Sequence, residues 1–594
     1  MSFTAQVERE WSFLGGLVRT LRRVRSIEPH SPNLITDDLE AAVDRWRGNV
    51  ALSFEGRNLS YGEMDALANR YAHWAQNAGI RRGEVVAMLL PNRIEYLPIW
   101  FGLSKVGVAA ALINNQLTGD ALAHCLNVSG AAHCIVDAET AAAFEGCRVK
   151  LAHVTHEWTL GEAHGDQRDL NQALKGCSSL RPDRARRDGL TAGDTALFIF
   201  TSGTTGLPKA ARITHMRAQL YMRGFAGATN AKADDRIYVV LPFYHATGGL
   251  CGAGAALLNG GSVVIRKHFS ASHFWADIVA EGCTMFVYIG ELCRYLANQP
   301  EVFEEHQHRL RLAFGNGLRP DVWEKVVGRF GVPRVLEFYG STEGNVSMFN
   351  FDGKLGAIGR APDYLKYMFN IRLARFDVET ETPVRGPDGR CIEAGVDEPG
   401  ECLGEIKRDA RTAFVGYADK AASEKKVLHD AFAEGDAWFR TGDLLRKDAE
   451  GYFYFVDRIG DTFRWKGENV STGEVAQTLA EAPGVKEANV YGVKVGDLDG
   501  RAGMAGLVVG DAFDPKAFAA FIAQRLPAYA QPVFLRILPG IQVTGTFKYR
   551  KLDLVADGFD LAVVKDPLYV RLDDGYEPLT ADLQAKVLSG ELRV

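Results

Sequence analysis

The sequence predicts an α/β protein: a large N-terminal domain of mixed, largely parallel sheets sandwiched by helices, with a β-rich subregion, and a small α+β C-terminal domain. Three observations predict it. Short apolar runs alternate with helical patterns through the first half of the chain, the signature of βαβ units. Pro- and Gly-rich turns punctuate Thr382–Gly404, as in β-rich structure. After Gly460 the alternation starts again on a smaller scale. The 594 residues exceed what one ordinary core holds, so two domains are expected, 1–459 and 460–594, with the boundary near Arg458–Asp461.

In chain order, Trp11–Ile27 sets Trp11, Phe13, Leu14, Leu17, Val18, Leu21 and Val24 at helical spacing beside Arg19, Arg22, Arg23 and Arg25. That pattern fits a helix lying in a membrane interface, and equally a helix packed on the main domain. Val85–Leu90, Glu95–Val106 and Val108–Ile113 read as strand, helix and strand. Ala196–Thr201, Ile237–Leu241, Met285–Ile289 and Arg311–Phe314 read as further strands. No charged residue occurs from Ile237 to Ile265, long enough to span a bilayer. Pro242, His245, Asn259 and six glycines argue instead for a buried strand, a glycine-rich helix start, a short helix and a second strand at Ser262–Ile265. Arg181, Arg184, Arg186 and Arg187 read as a solvated linker. Beyond the boundary, helices are expected at Thr472–Glu481 and Pro515–Leu526, and strands near Ala488–Val493 and Gly503–Val509.

Hydrophobic residues make up 47% and charged residues 24%, with a formal net charge of -6, so nothing global points to nucleic acid. None of the nine cysteines has CxxC spacing, which argues against zinc and suits a reducing compartment. The N-terminus lacks a secretory pattern, so a cytoplasmic location is expected.

The strongest chemical signal follows the apolar strand Ala196–Phe200. Thr201, Ser202, Gly203, Thr204, Thr205 and Gly206 are followed by Lys209. Glycines let backbone N–H groups approach phosphate oxygens, hydroxyls add donors, and lysine adds charge. The final Gly-Lys-Ser/Thr of a Walker A loop is absent. Further strings come in order: Phe314-Gly315-Asn316-Gly317-Leu318-Arg319-Pro320, Glu337-Phe338-Tyr339-Gly340-Ser341-Thr342-Glu343, Arg440-Thr441-Gly442-Asp443, Asp457-Arg458-Ile459-Gly460-Asp461, and Thr544-Gly545-Thr546-Phe547-Lys548. A flat ring suits a nucleobase, a hard carboxylate suits Mg2+, and an acceptor-only carboxylate suits a diol.

Together these strings resemble the adenylate-forming superfamily, from about Ala51 to the C-terminus. Phe547 before the lysine, the string Phe463-Arg464-Trp465-Lys466-Gly467-Glu468-Asn469-Val470, and the extended tail are similar to the fatty acid transport protein and very-long-chain acyl-CoA synthetase branch. The resemblance implies ATP-dependent activation of a long- or very-long-chain fatty acid to acyl-AMP. Transfer to coenzyme A follows, coupled in some members to fatty acid uptake. It implies that Thr201 to Gly206 and Lys209 hold phosphates, and that Gly315, Asn316 and Gly317 line an adenine pocket on which Tyr339 stacks. Thr342 would contact phosphate, Glu343 and Thr201 would hold magnesium, and Asp443 and Arg458 would take the ribose. Lys548 would be the catalytic lysine, with Lys551 as its competitor. Gly460 would be the hinge of a mobile C-terminal domain, and Gly467 would line the coenzyme A tunnel. His245, Phe286 and Tyr288 would border the acyl chain, with plain core packing as the alternative for all three. A bile-acid or steroid side chain is left open as the acid. A non-catalytic fatty acid transporter would need transmembrane helices and a degraded phosphate loop, and the sequence has neither. A homodimer and peripheral attachment to the inner face of the cell membrane are compatible with the sequence.

Overall fold

The structure is a computed structural model. It describes residues 3–162, 168–201, 207–407, 412–417, 419–466, 468–496, 498, 500–541, 551–572 and 575–592. Two compact units are present: residues 1–360 with 405–428, and residues 361–404 with 429–594.

The first unit is built on two sheets. One has eight strands in the order 347–349, 335–340, 312–316, 285–289, 236–239, 262–265, 50–54 and 57–60. Its pairings are parallel except at the two edges, where 335–340 meets 347–349 and 50–54 meets 57–60 antiparallel. The other has seven strands in the order 168–169, 156–160, 133–137, 85–89, 109–112, 195–201 and 209–214, parallel up to an antiparallel last pair. The expected strands fall where the apolar runs put them, and Met285–Ile289 matches residue for residue. The uncharged stretch resolves into the strand Arg236–Val239, a π-helical turn Thr247–Gly252, the helix Ala253–Leu257 and the strand Ser262–Ile265, all largely buried. Among the described residues no helix is long and apolar enough to cross a membrane.

The second unit holds antiparallel strands in the order 452–458, 437–447, 400–405, 371–377 and 382–383. It also holds a mixed five-stranded sheet in the order 485–493, 502–509, 534–537, 568–572 and 575–578. The helices Thr472–Ala480 and Pro515–Ala523 accompany that sheet, their Val475, Leu479, Phe518 and Ile522 joining its apolar core.

Two sequence readings change. The arginine cluster is solvated only at Arg184 and Arg186, and is otherwise tied to the body of its unit. Arg181 pairs with Asp44 at 2.8 Å and Asp65 at 3.0 Å; Arg184 pairs with Asp37; Arg187, itself buried, pairs with Asp37 at 2.8 Å and Glu40 at 2.7 Å. The same two carboxylates, Glu40 and Asp65, hold the fully buried Lys105 ammonium at 2.9 and 2.6 Å. A buried charge survives only when paired, and this network supplies the pairs.

The N-terminal helix Phe3–Val24 packs on the body of its unit, against the helix His215–Ala228. Its inward line is Phe13, Gly16, Thr20 and Val24. A Cβ on Gly16 would sit 2.4 Å from the Phe351 ring, and one on Gly227 would sit 2.8 Å from the Thr20 backbone. Arg360 pairs with Glu10 at 2.5 Å and lies 5.0 Å over the Phe13 ring. Trp11 and Val18, placed on the apolar face by spacing alone, point outward instead, 73% and 43% exposed.

At the carboxyl ends of three central strands sits one buried carboxyl. Tyr288 Oη–H donates to Glu337 Oε1 at 2.7 Å, and the amides of Gly317 and Leu318 donate to Glu337 at 3.0 Å each. Burial raises the Glu337 pKa to about 8 against those three donors, which favour its charged form.

Two outcomes follow from this packing. Gly16→Val should drive its methyls into Phe351 and destabilise the first unit by about 1–3 kcal/mol, read as a lower midpoint in chemical or thermal unfolding. For Glu337, a folded pKa above the ordinary 4.5 means that its contribution to stability is full below 4.5 and is lost as pH rises to about 8. Glu337→Gln cannot titrate, so the stability of the variant relative to wild type should climb across that interval. A flat difference would place the carboxyl's titration elsewhere.

Candidate active site

The hydroxyl- and glycine-rich string joins two antiparallel strands, with Thr201 opposite Lys209 and Phe200 opposite Ala210. Ser202, Gly203, Thr204, Thr205 and Gly206 lie outside the described residues. The register alone sets Thr201 and Lys209 side by side at the base of the turn.

Glu343 reaches the same place from another sheet. Strand Val335–Gly340 turns back into Ser347–Phe349, with Gly340 opposite Ser347, so Ser341, Thr342 and Glu343 lie in the connection. The helix His215–Ala228 holds that connection by its carbonyls. Tyr221 Oη–H donates to Ser341 O at 2.7 Å, and Arg217 Nη2 donates to Glu343 O at 3.3 Å. Arg217 is buried, and desolvation lowers its pKa. Asn345 Nδ2 donates to the carbonyls of Glu405 and Thr412, at 2.9 and 2.7 Å, so the connection is tied to the segment that follows Glu405.

That segment carries a residue the sequence reading missed. Tyr417 Oη–H donates to Glu343 Oε1 at 2.6 Å, and its side chain also hydrogen-bonds Thr201. The Lys209 ammonium lies 5.6 Å from the centre of the Tyr417 ring. Burial and then the Glu343 charge push the Tyr417 hydroxyl well above its ordinary value, so it stays a donor. Ala211 and Gly416–Tyr417 are bridged by backbone, which places the ring. Thr201, Lys209, Glu343 and Tyr417 therefore form one cluster of a hydroxyl, a cation, a carboxylate and a phenol.

Gly315, Asn316 and Gly317 end the strand Leu312–Asn316, with Gly315 between Tyr288 and Glu337 in the neighbouring strands. A Cβ on Gly315 would meet the Tyr288 carbonyl at 2.2 Å, so only glycine allows the strands this close. Gly317 turns the chain with φ +81°. The buried Asn316 Oδ1 has no hydrogen-bond partner in the structure. Tyr339 is half-buried at the end of its strand.

His245 is half-buried, its ring 4.6 Å from that of Tyr244. The buried hydroxyls of Tyr244 and Tyr96 have no hydrogen-bond partner among the described residues. Phe286 packs edge-on against Phe274 at 5.3 Å, and Tyr288 is fully buried with its hydroxyl on Glu337.

In the second unit, Asp443 and Arg458 face each other across neighbouring strands, Nε to Oδ1 at 3.8 Å. The Asp443 amide receives Thr441 Oγ1 as its acceptor at 3.1 Å. Arg440 is held by Glu401 at 2.8 Å. Gly460, two residues after Arg458, lies in the left-handed region, φ +89°, with nothing within 4 Å of a would-be Cβ. Gly467 and Lys548 lie outside the described residues. Lys551 is described, and its ammonium pairs with Asp461 at 3.0 Å.

Among proteins of known kind, the model of the AMP-binding enzyme family matches residues 39–401, and that of its C-terminal domain matches residues 474–548. The chain is 40% identical to long-chain fatty acid transport protein 6 of Mus musculus over 91% of its own length and 88% of the relative's. It is 40% identical to long-chain fatty acid transport protein 1 of Homo sapiens over 93% and 87%. Its fold is similar to that of the anthranilate CoA ligase AuaEII in complex with anthranoyl-AMP, with TM-score 0.75, 21% identity, and coverage of 90% of this chain and 98% of the other. It is also similar to a Mycobacterium tuberculosis fatty acyl CoA synthetase, with TM-score 0.62, 24% identity, and coverage of 88% and 98%. With the family model matching more than half of its length and relatives 40% identical over most of it, the chain belongs to the AMP-binding enzyme family.

Proposed function

We propose that the protein is an AMP-forming ligase that joins a long-chain fatty acid to coenzyme A at the expense of ATP. The observation that carries this is the cluster of Thr201, Lys209, Glu343 and Tyr417, with Thr201 and Lys209 flanking the hydroxyl- and glycine-rich string, in a chain related to fatty acid transport proteins.

A carboxylate is a poor electrophile. Its attack on the α-phosphorus of ATP forms a C–O–P bond and releases pyrophosphate. The thiol of coenzyme A then attacks the acyl carbon, and AMP leaves. Neither step needs a covalent protein intermediate; both need donors and cations placed where charge builds. Lys209 and Thr342 neutralise phosphate oxygens, with Ser202, Gly203, Thr204, Thr205 and Gly206 as the backbone cradle. Lys548 serves the first step, and Gly467 the passage of the thiol. The base lies against Gly315, Asn316, Gly317 and Tyr339, where Asn316 Oδ1 is an acceptor that fits an exocyclic amine. Asp443 accepts from the ribose hydroxyls beside Arg458. His245 faces the carboxylate end of the acid, and Phe286 and Tyr288 back its wall. Gly460 is the pivot between the two half-reactions, in a backbone region open chiefly to glycine.

Glu343 with Thr201 fits Mg2+. Among the described residues no group of three ligating side chains exists, and a nucleotide-bound Mg2+ needs only one or two carboxylates plus phosphate oxygens. When bound, the ion offsets charge on the phosphates. Tyr417 holds the Glu343 carboxylate through its hydrogen bond to Oε1.

A panel of carboxylic acids, assayed first for acid-dependent pyrophosphate release and then for the CoA ester, tests the reading. Long-chain fatty acids should give both, and a panel that gives neither overturns it. Glu343→Gln should cost adenylate formation on the order of a hundredfold or more, the scale of losing one charge-stabilising group in an active site. Tyr417→Phe, which keeps the ring over Lys209, should cost on the order of tenfold through the one lost hydrogen bond to a charged group. Wild-type rates in Glu343→Gln would remove it from the site.

The outward face of the N-terminal helix supports peripheral membrane attachment. Val7, Trp11 and Val18 are exposed there at helical spacing, and Arg22 and Arg25 continue the surface with positive charge. Because the opposite face is packed, substitution rather than deletion is the clean test. Trp11→Ser with Val18→Ser should abolish co-sedimentation with anionic vesicles and leave thermal unfolding unchanged. Undiminished sedimentation would end the membrane reading.

A further inference from the structure

Asp457 and Asp461 bracket Gly460, and both are held by groups from far along the chain. The Thr472 amide donates to Asp457 Oδ2 at 2.6 Å, and the Thr472 hydroxyl donates to the same carboxylate at 3.0 Å. Lys551 Nζ donates to the Thr472 hydroxyl oxygen at 2.9 Å and to Asp461 Oδ2 at 3.0 Å. The hydroxyl is thus a link between cation and carboxylate: it gives its one proton to Asp457 and accepts from Lys551. Asp457 and Thr472 are almost wholly buried, and burial raises the Asp457 pKa, so a carboxylate stripped of these partners would be left desolvated.

The placement of the partners gives the cluster its direction. Thr472 opens the helix Thr472–Ala480, and Lys551 stands at the head of the helix Leu552–Asp557, whose Asp557 is fixed by Arg536 at 2.9 Å. Asp461, Thr472 and Lys551 all follow Gly460; Asp457 precedes it. Any turn about Gly460 carries the first three together and leaves Asp457 behind. The Lys551–Asp461 pair survives such a turn, whereas the Thr472–Asp457 bonds break.

We propose that Asp457 is a latch on the Gly460 pivot, and that Lys551 is a positioning residue that holds the latch through Thr472, not a catalytic lysine. The reading deepens the ligase function above and rests on its two half-reactions for one of its tests.

Two measurements are made on the full-length chain. The first needs no activity: trypsin nicking after Arg458, whose side chain is 48% exposed, followed by intact mass. The second is the ratio of acid-dependent pyrophosphate exchange to thioester formation from a supplied acyl-adenylate. Asp457→Asn, Thr472→Val and Lys551→Met should each raise nicking and shift the ratio in one common direction by about tenfold, the effect of losing one charge-assisted hydrogen bond. Lys551→Arg, which can donate to the same two oxygens, should restore both. Unchanged nicking with an unchanged ratio overturns the latch. So does a loss of adenylation alone in Lys551→Met that arginine does not rescue, the signature of a catalytic lysine. A wild type without acid-dependent exchange, but with latch-dependent nicking, would sink the ligase reading and leave the latch standing.

Discussion

The Glu337 carboxyl is the constraint on which the first unit's chemistry depends. Parallel strands end with unpaired backbone donors, and here two of those donors, from Gly317 and Leu318, end on one buried side chain that also takes the Tyr288 hydroxyl. The arrangement works only because Gly315 lets the strands approach to where any Cβ would strike the Tyr288 carbonyl. The turn from Asn316 into Leu318 is fixed by this contact, while the Ser341–Glu343 connection is held from the other side by Tyr221 and Arg217. A carboxyl is costly to bury; three donors offset part of that cost, and burial still raises its pKa.

Much of the fold was legible because its signals are local. Parallel strands buried on both faces read as continuous apolar runs, which is why Met285–Ile289 and Ser262–Ile265 stand where the sequence puts them. Glycine and proline marked the uncharged stretch as a folded segment and not a membrane span.

What was not legible depended on partners remote in sequence. Arg187 and Arg184 read as solvated because their carboxylates, Asp37 and Glu40, lie about a hundred and fifty positions upstream. Tyr417 carries no motif of its own, and its partner Glu343 is 74 positions away. The N-terminal helix shows a third limit. Helical spacing states that a face is apolar, yet with Leu, Val, Phe and Trp over nearly half the circumference it cannot say which part of that arc is inward. Two small residues settled it: Gly16 and Gly227 are where backbone and ring approach too closely for any side chain.

The same logic separates the two lysines near the C-terminus. By charge and reach Lys551 and Lys548 are equivalent, and no spacing rule distinguishes them. Polar bookkeeping does. Lys551 commits two of its three ammonium donors, one to Asp461 and one to the hydroxyl that completes Asp457. Removing Lys551 would orphan the Thr472 oxygen and loosen a buried carboxylate, a structural debt that a catalytic cation cannot carry through a reaction cycle. The ordinary work of satisfying buried polar groups thus ties Lys551 to the segment around Gly460.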